Sequence, residues 1–141
     1  MSSPTHQALL LWAARKMAHD GFVVAGFEGR VDRGGVLNLL APPPIVAGLR
    51  PDAWGYDPAG SWVAVAEAKT AEDVDTEHTR AQLRAFRSLR SRTAGTQAKL
   101  YVAVPQSAAR SLDRVLAELG LAGAPGLVRV HVPDIFLTGA A

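Results

Sequence analysis

The most informative segment of this chain runs from Pro51 to Lys69 and reads PDAWGYDPAGSWVAVAEAK. Two extended stretches, Leu49 to Tyr56 and Ser61 to Thr70, flank a tetrapeptide of sequence DPAG, residues 57–60. The proline and glycine of this tetrapeptide favour a tight turn between strands. The pattern therefore predicts a β-hairpin.

Charged side chains stand at the end of the second strand of this hairpin. Alternate residues of a strand share a face, so Glu67 and Lys69 point the same way while Ala68 turns aside. The hairpin places Asp52 beside the strand that carries Glu67. Two carboxylates with a lysine beside them can bind a hard divalent cation and suit the hydrolysis of a phosphodiester bond.

The surroundings of these charges favour a functional site over a solvated surface. Ligands gather at strand ends in open α/β sheets, and charged residues that end a buried strand typically mark such a rim. The alternative is that Asp52 only ends a strand at a proline turn, while Glu67 and Lys69 form a cross-strand pair in solvent. Apolar side chains precede Glu67 on both faces of its strand, with Val63 and Val65 on one face and Trp62, Ala64 and Ala66 on the other.

The spacing of Pro51-Asp52 and Glu67-Ala68-Lys69 resembles the motif of the PD-(D/E)xK nuclease superfamily. Many restriction endonucleases, Holliday-junction resolvases and phage or repair exonucleases share the fold of this superfamily. The resemblance extends over residues 49–104. It implies an α/β fold with a restriction-endonuclease-like core.

The resemblance also implies a role for each residue of the motif. Asp52 and Glu67, together with the carbonyl of Ala68, would bind Mg²⁺ or Mn²⁺. The ion would activate a water and polarise the scissile phosphate. Lys69 would orient the nucleophile or steady the developing negative charge.

The helix predicted from Thr76 to Arg92 carries a polar residue, Gln82, inside its apolar stripe. A buried amide without hydrogen-bond partners costs about 1–3 kcal/mol. Many superfamily members have a glutamine on this helix that supports the active site, and the sequence QLRAF at residues 82–86 resembles that element. Gln82 therefore bonds either to the metal-site carboxylates and their waters or to the backbone of the sheet. The stripe comprises Thr79, Gln82, Leu83, Phe86 and Leu89.

Arg80, Arg84 and Arg87 are predicted to lie on the opposite side of this helix. Most of the 15 basic residues of the chain are arginines, and the pI is about 9.4 although the net charge is only +2. Arginine suits phosphate, so the composition is compatible with DNA as a partner. The three arginines either bind DNA phosphates or form an ordinary solvated face.

The first helix, predicted from Pro4 to His19, departs from the superfamily pattern. Some members place an additional acid on this helix, but here it contains neither aspartate nor glutamate. Either His6, Gln7 or Glu28 substitutes as a ligand, or the site has only two acidic ligands.

The rest of the chain fits one α/β domain over residues 1–141. At 141 residues with 48% hydrophobic side chains, the chain can bury a core, and without cysteine it has no disulfide or thiolate metal site. Helices and strands alternate, which predicts a mixed sheet flanked by helices on both faces. Residues 29–48 are predicted as either a short strand or a loop. The remaining elements are the strands Phe22 to Phe27, Lys99 to Val104 and Leu127 to Val132 and the helix Gln106 to Leu119.

These observations predict a metal-dependent endodeoxyribonuclease. Its substrate would be recognised by shape, as by a Holliday-junction resolvase, or it would act as a restriction or repair enzyme. A homodimer or a partner protein would add specificity. The alternative is a non-catalytic nuclease-like module for DNA binding or assembly. With no secretion signal and no membrane-spanning stretch in the sequence, a cytoplasmic protein is expected.

Overall fold

A five-stranded mixed sheet forms the centre of the protein. The structure, a computed structural model, describes residues 3–28, 45, 48–91 and 94–137. Within these residues the strands follow one another across the sheet in chain order. They are β1 (Val23–Phe27), β2 (Ala53–Tyr56), β3 (Val63–Ala68), β4 (Lys99–Pro105) and β5 (Leu127–Val132).

The strand directions divide the sheet into two halves. Strands β1, β2 and β3 pair antiparallel, whereas β3, β4 and β5 pair parallel. Each parallel pair needs a crossover connection, and a helix supplies each one. These helices are α2 (Glu77–Arg87) and α3 (Ala109–Glu118), while α1 (Pro4–His19) precedes the sheet.

Helix α1 covers one face of the sheet. The Ser3 side chain accepts a hydrogen bond from the His6 N–H at 3.1 Å, and Pro4 occupies the first helical position, so the helix begins as its sequence predicts. Its buried face packs on small side chains of β3 and β4, which leave room for a helix. The residues of this contact include Leu9, Leu10, Ala13 and Met17 on the helix and Ala64, Ala66, Ala68 and Ala103 on the sheet.

Helices α2 and α3 cover the opposite face. Their buried side chains pack on larger residues of the same strands, because alternate strand residues point to opposite faces. The prediction of an α/β fold with a mixed sheet between helices is confirmed. The second core includes Leu83 and Phe86 of α2, Leu112 and Leu116 of α3, and Val65, Leu100 and Val102 of the sheet.

Several predicted boundaries are wrong by a few residues. Strand β2 begins at Ala53 rather than Leu49, and Pro51, which has no N–H for a strand ladder, lies between them. Helix α2 ends at Arg87 rather than Arg92, because the chain then turns back and Arg90 pairs with Gln97.

The third helix also differs from its predicted bounds, Gln106 to Leu119. A short 3₁₀ turn, Gln106–Ala108, precedes α3, which ends at Glu118. Residues 29–44 and 46–47, predicted as a strand or a loop, lie outside the described residues. No helix in the described part of the chain is long and apolar enough to cross a bilayer.

Candidate active site

The hairpin of β2 and β3 brings the predicted carboxylates together. Ala53 pairs with Ala66, so Asp52 lies just before β2 and opposite the end of β3. The Asp52 N–H donates to the Ala66 carbonyl at 3.1 Å, which continues the ladder by one bond. Glu67 follows Ala66 on β3, and the two acidic residues are neighbours as predicted.

The two carboxylates are held by each other's backbone. The Asp52 N–H donates to Glu67 Oε1 at 3.0 Å, and the Ala68 N–H donates to Asp52 Oδ2 at 2.9 Å. Each strand therefore fixes the acid of its partner through one oxygen. Bonds of an N–H to a carboxylate are among the stronger hydrogen bonds in proteins, so both side chains are well oriented.

The second oxygen of Glu67 has no such partner. Glu67 Oε2 is buried and makes no hydrogen bond within the described structure. The Lys69 ammonium lies 3.6 Å from it, beyond hydrogen-bonding range. An unsatisfied buried carboxylate oxygen is costly, and a cation bound there would remove that cost.

The charges around Glu67 also favour a bound cation. Only 1% of Glu67 is exposed, and this burial, followed by the nearby charge of Asp52, raises the pKa of Glu67 well above its ordinary value. The Lys69 ammonium counteracts this effect in part. A positive charge close to two neighbouring carboxylates, one of them buried, favours the charged form of both. The residues therefore fit a divalent cation.

Lys69 and Gln82 form a buried pair beside the carboxylates. The Lys69 ammonium donates to Gln82 Oε1, and both residues, taken whole, are more than nine-tenths buried. The sequence predicted either the carboxylates or the sheet backbone as the partner of Gln82. The partner of its side-chain oxygen is instead the ammonium group, so Gln82 reaches the site through Lys69.

Among the three proposed substitutes for an acid on α1, His6 contacts the site. Its Nε2 lies 3.2 Å from Asp52 Oδ2. Glu28 instead pairs with Arg50 at 3.2 Å near the surface, and only its backbone N–H reaches the Asp52 carbonyl, at 2.9 Å. Gln7 is half-buried on the same helix.

An open groove of about 680 Å³ lies next to this site. Its walls include His6 and Thr70, which adjoin Asp52 and Lys69 respectively. The groove also carries three carboxylates that the sequence did not associate with the site, because only the fold brings residues 70–73 and 134 together. These are Glu72, Asp73 and Asp134, the last of which accepts hydrogen bonds from Ser107.

The predicted arginine surface is wrong for Arg80. Arg80 is buried and bonds to Asp75 at 2.6 Å and to Glu118 of α3 at 2.9 Å, so it links the two helices. Arg84 is exposed, and the half-buried Arg87 donates to the Pro125 carbonyl. A helical wheel predicts the direction in which Arg80 points. It cannot show that α3 packs on that side of α2.

The candidate site has few side-chain ligands. Among the residues that the structure describes, no three or more histidine, aspartate or glutamate side chains are grouped so that they could hold an ion. A cation at this site would rely on the two carboxylates and on backbone or water oxygens. Comparison with protein-family models, curated proteins and solved structures found no match to this chain.

Proposed function

We propose that this protein is a Mg²⁺- or Mn²⁺-dependent nuclease that hydrolyses phosphodiester bonds in DNA. The observation that carries the proposal is the buried Glu67 Oε2, which accepts no hydrogen bond within the described residues and lies next to an Asp52 carboxylate that the backbone holds in place. A buried acid of this kind is a poor contributor to stability, and its cost is explained if it binds a cation.

The residues divide the proposed chemistry between them. Asp52, Glu67 and the Ala68 carbonyl would hold the ion, which when bound lowers the pKa of a water and neutralises charge on the phosphate. The Lys69 ammonium would steady negative charge on the phosphate or orient the nucleophile. Gln82 fixes the ammonium through its side-chain oxygen.

The test is cleavage of DNA by the purified full chain. Linear duplex, single-stranded and four-way-junction DNA are each incubated with Mg²⁺, with Mn²⁺ or with EDTA. We expect cleavage of at least one substrate with a divalent ion and none with EDTA. If the protein binds DNA but cleaves none of the substrates under any condition, the nuclease proposal fails and the non-catalytic DNA-binding module is favoured. The substrate that is cleaved fastest separates a junction resolvase from a restriction or repair enzyme.

Gln82→Leu is expected to lower kcat by about 10- to 100-fold, the usual loss for a residue that orients an active-site group. The variant also removes a hydrogen bond to a charged group, worth about 1.5–3 kcal/mol, partly offset by burial of an apolar side chain. Gln82→Glu retains an oxygen that can accept from Lys69 and serves as the control. Turnover and thermal melts are measured together. A destabilised Leu variant with full activity would assign Gln82 a purely structural role.

Arg84 and Arg87, the two residues of the predicted arginine surface other than Arg80, give a prediction about DNA binding. Arg84 and Arg87 line a small groove of about 240 Å³ together with Leu119 and Leu121, which follow α3. If both bind phosphate, replacing both with glutamine should weaken DNA binding and reduce the slope of log K against log salt by about 0.9 for each lost contact. A double variant of the exposed Arg110 and Arg114 on α3 is the control. An unchanged slope in the Arg84 and Arg87 variant would identify these two as solvated surface.

A further inference from the structure

His6 occupies an unusual place for a residue at the beginning of a helix. It lies in the first turn of α1, where the Ser3 cap fixes its backbone N–H. Its ring extends to the sheet and meets Asp52, 46 residues further along the chain. The side chains of His6 and Asp52 are 19% and 16% exposed, so the contact is partly shielded from water.

The chemistry of the contact determines which nitrogen carries hydrogen. Asp52 Oδ2 is a carboxylate oxygen and can only accept, so Nε2 of His6 must be the donor. The other ring nitrogen, Nδ1, is buried without a partner in the described structure. Hydrogen on Nε2 and a lone pair on Nδ1 avoid a stranded N–H group. Nε2, the nitrogen that faces the site, is therefore occupied by Asp52 and is not available to bind an ion.

The contact also determines how Asp52 is oriented. The Ala68 N–H and His6 Nε2 both end on Oδ2, from the sheet and from α1. Two donors from different elements define the plane of a carboxylate better than one. Such an arrangement turns the other oxygen, Oδ1, away from these donors. Asp52 lies just before the first residue of β2, and its backbone bonds to Ala66 and Glu28, so the side chain is held by the two donors to Oδ2 rather than by its place in a strand.

We propose that His6 is a positioning residue that holds Asp52 in the orientation required to bind the divalent cation. This inference rests on the proposed function, because it assumes that Asp52 is a metal ligand. It differs from the expectation that His6 replaces the missing acid as a ligand. His6 acts through Asp52, as hydrogen-bond partners of metal ligands commonly do.

Two variants of the full chain separate these roles. His6→Gln places an amide nitrogen near the position of Nε2 and can still donate to Asp52, whereas His6→Leu cannot. Mn²⁺ is titrated by calorimetry into each protein without DNA. We expect His6→Leu to weaken Mn²⁺ binding by about 10- to 100-fold and His6→Gln to recover most of that loss. Thermal melts establish that each variant is folded, and His6→Met replaces the Leu variant if the latter does not fold.

The possible outcomes are distinct. Equal Mn²⁺ affinity in the wild type and the Leu variant would overturn the positioning role, and a Gln variant as weak as the Leu variant would show that the imidazole itself is a ligand. A wild-type protein that binds no Mn²⁺ would overturn the metal site together with this proposal. If the Mn²⁺ affinities follow the expected order but DNA is not cleaved, only the proposed nuclease function fails.

Discussion

Glu67→Gln should reduce divalent-dependent DNA cleavage by at least about 10²- to 10³-fold, the loss that follows removal of one preorganised electrostatic contact. The amide is nearly the same size as the carboxylate, and its oxygen can still accept from the Asp52 N–H. The substitution removes the charge and replaces Oε2, the oxygen that accepts no hydrogen bond in the described structure, with an NH₂ group that cannot bind a cation. Cleavage assays and Mn²⁺ titrations on the same preparations measure both effects.

The matched control is Glu77→Gln, the same chemical change at a side chain that is 88% exposed on α2. We expect this variant to cleave DNA like the wild type. Loss of cleavage in Glu67→Gln but not in this control would exclude a contaminating nuclease as the source of the activity. Cleavage by Glu67→Gln at the wild-type rate would show that neither Glu67 nor the proposed site takes part in the reaction.

Glu67→Gln should also reveal how much the buried Glu67 carboxylate lowers the free energy of unfolding. Burial raises the pKa of Glu67 in the folded protein well above its ordinary value of 4.5. Between these two pKa values the folded state binds more protons than the unfolded state, so stability falls as pH rises through that window. Glutamine has no proton to lose. The free energy of unfolding of Glu67→Gln minus that of the wild type should therefore grow as pH rises above 4.5 and level off above the folded pKa.

Urea unfolding in EDTA, at a series of pH values, measures this difference without interference from bound metal. Added Mn²⁺ should reverse the order at neutral pH, because it stabilises only the protein that binds it. A difference that stays constant with pH would mean that Glu67 is charged at no cost in the folded state.

Local signals in the sequence were sufficient to predict the hairpin and its acids. The turn residues at 57–60 and the alternation along β3 determine which residues pair, and pairing of Ala53 with Ala66 necessarily brings Asp52 next to Glu67. The alternation also predicted correctly that β3 is covered on both faces, since Ala64 and Val65 belong to different cores.

Contacts between distant elements were less accessible from the sequence. The helical wheel placed Gln82 toward the sheet, but its partner depends on how far the Lys69 side chain extends from the end of β3. The contact of His6 with Asp52 depends on where the first turn of α1 lies over the sheet, which no local pattern specifies. The helical wheel fails for Arg80 for the same reason, because the position of Glu118 on α3 makes that side of α2 an interior surface.

Lys69→Met should lower kcat by about 10²- to 10³-fold while the protein retains Mn²⁺ binding. Methionine has a similar length and is apolar, so it can fill the space of a side chain that is only 11% exposed. The change removes the positive charge that would steady the phosphate or orient the nucleophile. It also removes a cation 3.6 Å from Glu67 Oε2 and hence a repulsion on the incoming ion, so Mn²⁺ affinity should be unchanged or higher.

This combination distinguishes Lys69 from the metal ligands, because Glu67→Gln should lose ion binding and turnover together. Lys99→Met is the matched control: Lys99 pairs with Ala64 at the opposite end of β3 and lies near the Phe22 and Trp62 rings. We expect this control to retain both Mn²⁺ binding and turnover. If Lys69→Met loses Mn²⁺ affinity to the same extent as Glu67→Gln, the lysine maintains the shape of the site. If Lys69→Met cleaves DNA at the wild-type rate, its ammonium has no part in the reaction, and the buried Lys69–Gln82 pair serves only to link α2 to the sheet.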